Sequence, residues 1–497
     1  MPLFISSAMA NKAPSSSLIR RAICLAAAAL LTCSVSAQTI VASGTLPPSV
    51  QKSLKAAKIG DDAMSVVTLP LTGRGPETYI NADVSVNPAS TMKLITTFAA
   101  LELLGPTYQW RTEFYTDGQL KNGILNGNLY LKGGGDPKLN MEKLWLLLRD
   151  LRNNGVKQVT GDLILDRSYF RHPQLKPFND DGDDPHKPYL VGPDSLLVNL
   201  KSVRMIARNE SGQIQVTTEP PLDGVRIDNR MTSLPGGKCT EWPEVGYNPV
   251  NAVDGVTIVA AGKLAEGCSV QTYMALLDHP GYAAAAIRGM WKELGGSMLG
   301  RTRLANVPRD ARLLARTFSP DLVEIIRDIN KYSNNTMAQQ LFLSIGARYR
   351  TDADGDDSKA AQRVIRDWLA RKNIAVSRLV IENGSGLSRD ERISPREMAQ
   401  ILRAAWRSPY AAEFISSLPL AGMDGTMRKR LRTTEMQGQA HIKTGTLNNV
   451  RAIAGFSRDR NGNSWVVVAI LNHPRPWGAG ATLDEVLLDL YRNPPTP

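Results

Sequence analysis

Three short patterns in this chain carry side chains able to do chemistry. Ser90-Thr91-Met92-Lys93 stands at the entrance of an apolar run. A serine hydroxyl is a poor nucleophile until a base takes its proton, and a lysine can be that base once something lowers its pKa. Burial does so, and so does a second cation nearby. Spaced three apart at a helix start, Ser90 and Lys93 share a face and can touch. The same Ser-x-x-Lys spacing recurs at Ser49-Val50-Gln51-Lys52, with no apolar run behind it, so the pattern alone also fits an ordinary helix start. Ser333-Asn334-Asn335 offers a hydroxyl that can pass a proton and an amide that can bind a carbonyl; the plainer reading is an exposed break between helices. Lys443-Thr444-Gly445-Thr446, read as a strand, puts Lys443 and Gly445 on one face and Thr444 and Thr446 on the other. Glycine inside a strand marks close approach of another backbone. A peptide could pair here as an added strand beside the Lys443 charge, or the segment is simply a charged edge strand that resists aggregation. His441 reads as packing, since no Gly-x-Ser-x-Gly elbow occurs in the chain.

The elements around these patterns follow from local spacing. Pro88 biases Asn87 toward an extended conformation and fits a first helical turn, so a helix is expected from near Ser90. From Leu94 to Leu104 only Thr96, Thr97 and Glu102 interrupt the apolar residues, and Gly105-Pro106 supplies a stop; this predicts a buried helix. Met64 to Leu69 reads as a strand closed by a turn at 72–75. Strands at Thr112 to Thr116, Asn128 to Lys132 and Val159 to Leu165 surround a helix at 141–153, and 173–194 reads as a long surface loop. Strands and turns fill about 197–275, followed by a helix at Ala283 to Leu294. The pattern is helical from about Asp310 through 345, and again at Lys359 to Arg371 and Pro395 to Ala405. A hairpin from His441 to Phe456, a strand from Ser464 to Leu471 and a helix from Leu483 to Tyr491 close the chain.

Several tempting signals do not hold up. Gly133-Gly134-Gly135 is followed by Asp136-Pro137, where a phosphate cradle would need a helix N-terminus and a lysine. The acidic clusters Asn179 to Asp184 and Asp352 to Asp357 lack the glycine that a calcium loop needs at its sixth position, and read as solvated turns. No cysteine has metal-ligand spacing around it, so neither a metal nor a cofactor is expected.

The chain has 497 residues, 42% of them hydrophobic, enough for two or three domains with real cores. Lys12, Arg20 and Arg21, the apolar stretch Ala22 to Leu31 and then Val35-Ser36-Ala37 form a secretory signal over 1–37, with a mature start near Gln38. Cys33 after Leu30-Leu31-Thr32 is a weaker, lipoprotein-like alternative. The apolar stretch is too short to span a membrane. Cys239 and Cys268 remain after cleavage. In an oxidising compartment they are expected to form a disulfide worth roughly 3–4 kcal/mol, the alternative being two buried thiols. The formal net charge of +12 falls to +9 once the signal is removed. For an exported protein this favours a polyanionic wall or membrane surface over nucleic acid, unless the charges serve only solubility.

Taken together, Ser-x-x-Lys, Ser-x-Asn and Lys-Thr-Gly in this order are the set found in class A β-lactamases and penicillin-binding proteins. The sequence resembles a D-alanyl-D-alanine carboxypeptidase/endopeptidase, a low-molecular-mass penicillin-binding protein with a long insertion between the first two motifs. The resemblance covers nearly all of the mature chain. It includes Leu129-Tyr130-Leu131-Lys132-Gly133-Gly134-Gly135-Asp136-Pro137, Asn383-Gly384-Ser385-Gly386-Leu387-Ser388-Arg389 and Leu420-Ala421-Gly422-Met423-Asp424-Gly425-Thr426. The 243 positions between Ser90 and Ser333 are too many for a β-lactamase. Asn334 stands where the class A pattern has Asp, and Leu447 where some relatives place a methionine.

The resemblance implies an α+β fold: a serine β-lactamase/penicillin-binding-protein-like domain, with an antiparallel sheet flanked by helices, built from 38–112 and 306–497. A β-rich inserted region would occupy 113–305. It implies that Ser90 attacks the carbonyl between two D-alanines of a peptidoglycan stem peptide, with Lys93 as base and Lys443 and Ser333 in the same proton network. The backbone N–H groups of Ser90 and Thr446 would hold the oxyanion, and Asn335 the peptide amide. Lys443, Thr444 and Thr446, on the strand that includes Gly445, would hold the terminal carboxylate. Asp166 would contact the diaminopimelate side chain. Removal of terminal D-alanine, cleavage of D-Ala-meso-diaminopimelate crosslinks, acylation by penicillin and a periplasmic location are implied. The expected partners are peptidoglycan peptides and β-lactams, not nucleic acid, with peripheral membrane or wall association left open. The rivals are a catalytically weak penicillin- or peptidoglycan-binding protein, a β-lactamase-like hydrolase using the same residues, and a generic exported esterase.

Overall fold

Ser464–Asn472 is apolar at almost every position, and both of its faces are buried. Val466, Val468 and Ile470 enter one core with Val67, Leu69 and Phe456, while Val467, Ala469 and Leu471 enter a second with Met64, Val66 and Ile442. A strand with period-two side chains can be apolar throughout only when helices cover both faces of its sheet. The sheet has six strands in the order Val41–Ala42, Glu77–Ile80, Met64–Pro70, Ser464–Asn472, Val450–Arg458, Ala440–Leu447. All pairings are antiparallel except that of Val41–Ala42 with Glu77–Ile80. Lys93–Leu104, Leu322–Tyr332, Asn335–Tyr349, Asp357–Arg371 and Pro395–Trp406 contribute to the first core, and Pro48–Ala56 with Gly480–Arg492 to the second. The fold is α+β, and both ends of the chain build this sheet. Phe98, fully buried at the centre of the first core, meets Trp368 edge-on at 5.0 Å between ring centroids.

The computed structural model describes residues 41–42, 44–72, 75–173, 178, 184–239, 244–252 and 255–495. The secretory signal with Cys24 and Cys33, part of the 72–75 turn and all of the first acidic cluster except Asp184 lie outside them. Among the described residues no helix is long and apolar enough to cross a membrane.

Between the first two motifs the described residues form four more sheets. A five-stranded sheet orders Thr302–Leu304, Leu163–Asp166, Leu129–Gly133, Arg111–Thr116 and Arg312–Phe318. Two three-stranded sheets follow within 202–275, and Cys239 and Cys268 are joined there as a disulfide with Cα atoms 5.5 Å apart. These sheets pack with Met141–Asn153 and His279–Glu293 around a separate core that includes Phe114, Leu147, Ile287 and Trp291.

Three local expectations are corrected. The segment from about 310 starts not as a helix but as the strand Arg312–Phe318, antiparallel to Arg111–Thr116 and past residue 305. A short run such as Leu313-Leu314-Ala315 does not distinguish strand from helix, and its distant partner decides. Helix begins only at Leu322, after Ser319-Pro320. The end of the expected surface loop is buried: Asp194 is 1% exposed, Arg167 pairs with its carboxylate, and Gln340 bonds both Asp194 N and O. The cluster at 352–357 is not a solvated turn throughout. Asp354 pairs with Arg363 at 2.6 Å, and the fully buried Asp357 with Arg350 at 2.9 Å. Buried carboxylates persist when cations and N–H groups replace water.

Candidate active site

Asn87 ties the first motif to its surroundings. Its Oδ1 accepts from Ala89 N at 2.8 Å, and its Nδ2 donates to Ser388 O at 2.9 Å. Its backbone N–H and C=O both bond the Asn472 side chain at the end of the central strand. Ala89–Met92 forms a 3₁₀ turn and the α-helix starts at Lys93, three residues later than expected. With three residues per turn, positions i and i+3 eclipse. Lys93 Nζ accordingly lies 3.0 Å from Ser90 Oγ. Gly445 explains itself by the same turn: a Cβ there would come 2.8 Å from Pro88 O, so the motif strand requires glycine for close backbone approach.

Ser333 is the left-handed end of Leu322–Tyr332, with φ of 58°, and Asn334 caps Asn335–Tyr349 by accepting from Met337 N. The middle residue of Ser-x-Asn is therefore used as a helix cap, and its neighbours face the site. Lys93 Nζ donates to Asn335 Oδ1 at 2.7 Å. Lys443 Nζ donates to Ser333 Oγ at 2.8 Å and to Thr444 O at 2.7 Å. Thr444 Oγ1 lies 2.8 Å from Thr426 Oγ1. Lys443 and Gly445 are buried while Thr446 is exposed on the strand.

Both lysines are fully buried. Loss of water pushes the Lys93 ammonium down to about 7, and the negative charge of Glu391 acts in the opposite direction. Burial, then the neighbouring Lys93, holds Lys443 well below the usual lysine range. A lysine titrating near neutrality is a competent base, since a large share of it is unprotonated at working pH.

Residues 382–391 add a wall to the site. Ser385 O accepts from Lys93 Nζ, and Gly386, at φ of 78°, lies so close that a Cβ would stand 2.0 Å from Ala89 O and 2.7 Å from Ser90 N. Ser385 Oγ donates to Asn383 Oδ1 at 2.7 Å and accepts from Gln339 Nε2 at 3.3 Å. Glu391, fully buried, takes the backbone N–H groups of Glu382, Asn383 and Gly384 on its Oε1 at 3.0, 3.0 and 2.9 Å. From the inserted region, Tyr189 O accepts from Asn335 Nδ2 at 3.2 Å.

Ser90, Lys93, Ser333, Asn335 and Lys443 are thus gathered at one place, with Thr444, Gly445 and Thr446 along its strand edge. Asp166 is not among them by contact. It is 2% exposed, and its oxygens accept from Ser168 N at 2.9 Å, Ser168 Oγ at 2.6 Å and Val307 N at 2.9 Å. The sequence reading passed over the Ser385 carbonyl, Glu391 and the Tyr189 carbonyl. Two glycines flanking Ser385 were the visible signal for a tight turn near another backbone; backbone carbonyls leave none. The cluster holds a hydroxyl, an adjacent buried base and an edge strand, the elements of acyl transfer through serine.

Residues 46–482 match the D-Ala-D-Ala carboxypeptidase 3 (S13) family. The chain is 29% identical over 419 residues to a D-alanyl-D-alanine carboxypeptidase from Actinomadura sp. strain R39, covering 80% of this chain and 75% of that protein. It is 25% identical over 407 residues to D-alanyl-D-alanine carboxypeptidase DacB of Haemophilus influenzae, covering 79% and 81%. Among solved structures, penicillin binding protein 4 (dacB) from Haemophilus influenzae superposes with a TM-score of 0.72 at 22% identity, over 89% of this chain and 99% of that one. The same protein complexed with a β-lactam superposes with a TM-score of 0.66 at 23% identity, over 86% and 96%. These superpositions show the shared fold.

Proposed function

The chain belongs to the D-Ala-D-Ala carboxypeptidase 3 (S13) family of serine peptidases, and from that premise we propose that Ser90 is its nucleophile and Lys93 the base that activates it. The observation that carries this reading is the fully buried Lys93 ammonium, 3.0 Å from Ser90 Oγ and pushed down to about 7.

In this reading the Ser90 oxygen attacks the carbonyl between two D-alanines of a stem peptide while its proton passes to Lys93. The tetrahedral oxyanion sits against the backbone N–H groups of Ser90 and Thr446. Such a donor typically contributes roughly 2.7–4 kcal/mol of transition-state stabilisation. Asn335 holds the peptide amide. Lys443 and Ser333, 2.8 Å apart, carry the proton toward the departing D-alanine amine. Lys443, Thr444 and Thr446 face the terminal carboxylate along the edge strand beside Gly445. Water then attacks the acyl-enzyme, with Lys93 again taking the proton.

The same chemistry extends to D-Ala-meso-diaminopimelate crosslinks, because the bond broken is the same and the leaving amine is larger. A β-lactam ring opened by Ser90 would leave a long-lived ester. Asp166 is retained as the contact for a diaminopimelate side chain only if its local hydrogen bonds open. The polypeptide is taken as a discontinuous peptidase domain, 38–112 and 306–497, interrupted by the region 113–305, and as periplasmic after cleavage of the signal. The net positive charge of the chain favours association with an anionic wall.

The test is mass spectrometry of the purified mature protein incubated with a labelled penicillin, beside Ser90→Ala. A lasting adduct on the Ser90 peptide, absent from the variant, supports the reading. An adduct lost within seconds favours β-lactamase-like turnover, and its absence leaves a binding protein without acylation chemistry.

A further inference from the structure

Glu391 lies outside every motif, yet it is fully buried and touches the turn that closes on the catalytic lysine. Three consecutive backbone N–H groups, from Glu382, Asn383 and Gly384, converge on its Oε1 at 2.9–3.0 Å. Its Oε2 is buried, and no hydrogen-bond partner for it exists among the described residues. A neutral carboxylic acid would need an acceptor for its proton at that oxygen, whereas a carboxylate is suited to three donors. Burial pushes the Glu391 carboxyl up, and the three backbone N–H groups and the Lys93 charge act against that; the geometry, with three donors on one oxygen, is that of a buried anion held by backbone amides.

The clamped turn makes two contacts with the catalytic machinery, one and two residues further on. Ser385 presents its carbonyl to Lys93 Nζ, and Gly386 packs its Cα face against the Ala89–Ser90 peptide. Without the three N–H bonds to Glu391, the turn keeps the Thr96 and Ser358 hydroxyls on its Gly384 and Glu382 carbonyls but loses the group that fixes its amides. We propose that Glu391 is a positioning residue of the reaction: its carboxylate clamps the 382–386 turn onto Lys93 and the Ser90 backbone, and its charge poises the lysine between its two protonation states.

The electrostatic half of the proposal follows from what surrounds Lys93. Two charged groups act on it: Lys443, from Ala440–Leu447, and Glu391, beyond the turn. Ser90, Asn335 and the Ser385 carbonyl, which touch it, are neutral. Glu382, Arg389, Asp390 and Arg392 are the other charged side chains of the turn. Arg392 Nη1 bonds the Arg389 and Glu391 carbonyls, and Arg389 Nη1 bonds Asn449 Oδ1. Burial and Lys443 favour the neutral amine, and Glu391 favours the ammonium. Without that charge the buried lysine would be a weaker base toward the Ser90 proton; with Glu391 it can both accept and return one near neutral pH.

The proposal rests on Lys93 as the base, and the experiment separates the two. The second-order rate of acylation by a labelled penicillin is measured over roughly pH 5 to 9 for wild type, Glu391→Gln, Glu391→Ala, Glu391→Asp and Lys93→Ala, each with a thermal melt. In wild type the rate should climb through a limb near the Lys93 value of about 7. Glu391→Gln keeps the shape and removes the charge, so its limb should move to lower pH by about one unit. Glu391→Ala also removes the anchor, so its plateau should drop about 100-fold, with Glu391→Asp recovering part of that loss and keeping the limb near its wild-type position. A folded Glu391→Gln protein with an unmoved limb overturns the proposal even if its plateau falls, because a purely structural residue would behave that way. If Glu391→Ala does not fold, the Gln and Asp variants decide. Should Lys93→Ala acylate like wild type, the base assignment itself falls; a dead Lys93→Ala beside an unmoved Glu391→Gln limb sinks only the role given to Glu391.

Discussion

Replacing Gly386 by alanine adds one methyl group, and the structure makes its consequence calculable. The new Cβ would stand 2.0 Å from Ala89 O and 2.3 Å from Ala89 C. An ordinary carbon–oxygen contact is about 3.3 Å, so one backbone or the other must move by roughly 1.3 Å. Neither is free to move. Ala89 N is held by Asn87 Oδ1, and the 382–384 amides are held by Glu391. A left-handed φ of 78° costs a residue with a Cβ about 1–2 kcal/mol, and forced overpacking adds about 1–3 kcal/mol. A destabilisation of about 2–5 kcal/mol is expected. Any relief by shifting the Ala89–Ser90 peptide displaces the nucleophile, and a displacement near 1 Å lowers the rate about 100-fold. Gly462→Ala is the control, because Gly462 also has a left-handed φ, 83°, but a Cβ there meets nothing within 4 Å. It should show the conformational penalty alone and acylate normally. Denaturant melts and stopped-flow acylation by a labelled penicillin measure both effects. A Gly386→Ala protein that loses no more stability than Gly462→Ala and acylates within about twofold of wild type would refute the argument from close approach.

Other perturbations test separate links. The unfolded chain keeps the Lys93 proton between about 7 and the ordinary lysine value of 10.5 while the folded chain does not; because the unfolded state then binds more protons, stability contributed by this site rises with pH across that window. Lys93→Met should therefore be more stable than wild type below about pH 7, with the advantage shrinking toward about 10.5, as read by melts at several pH values. Asn335→Ala removes an acceptor 2.7 Å from Lys93 Nζ and a donor to Tyr189 O, and acylation is expected to fall about 10²–10³-fold in rapid-quench measurements. Cys239→Ser opens a loop closed over a separation of 29 residues, which should reduce stability by about 3–4 kcal/mol in denaturant titration, while acylation of the folded protein is unchanged.

The legible parts were those set by neighbours in sequence. Ser90 and Lys93 meet because three residues separate them at a helix entrance, and the contact is made through a 3₁₀ turn. Gly445 was read as a point of close backbone approach, and Pro88 O is the backbone concerned. The strand expected from Ser464 to Leu471 forms as Ser464–Asn472. The misread parts depend on distant partners. Arg312–Phe318 is a strand because Arg111–Thr116 lies beside it. The Asp357 carboxylate is buried because Arg171 N, 186 residues away, bonds it beside Arg350.

The sequence by itself determined which reactive side chains exist, their order along the chain and the local turns that present them, since these follow from spacing and backbone preference. It could not determine the state of those side chains. Lys93 is an ordinary lysine until Asn335 and Ser385, 242 and 292 residues away, close around its ammonium. Glu391 is an ordinary surface-prone residue until three amides replace its water. Desolvation belongs to the assembled surroundings of a charge rather than to the residue that carries it, so the reactivity of the site was decided only when the two ends of the chain came together.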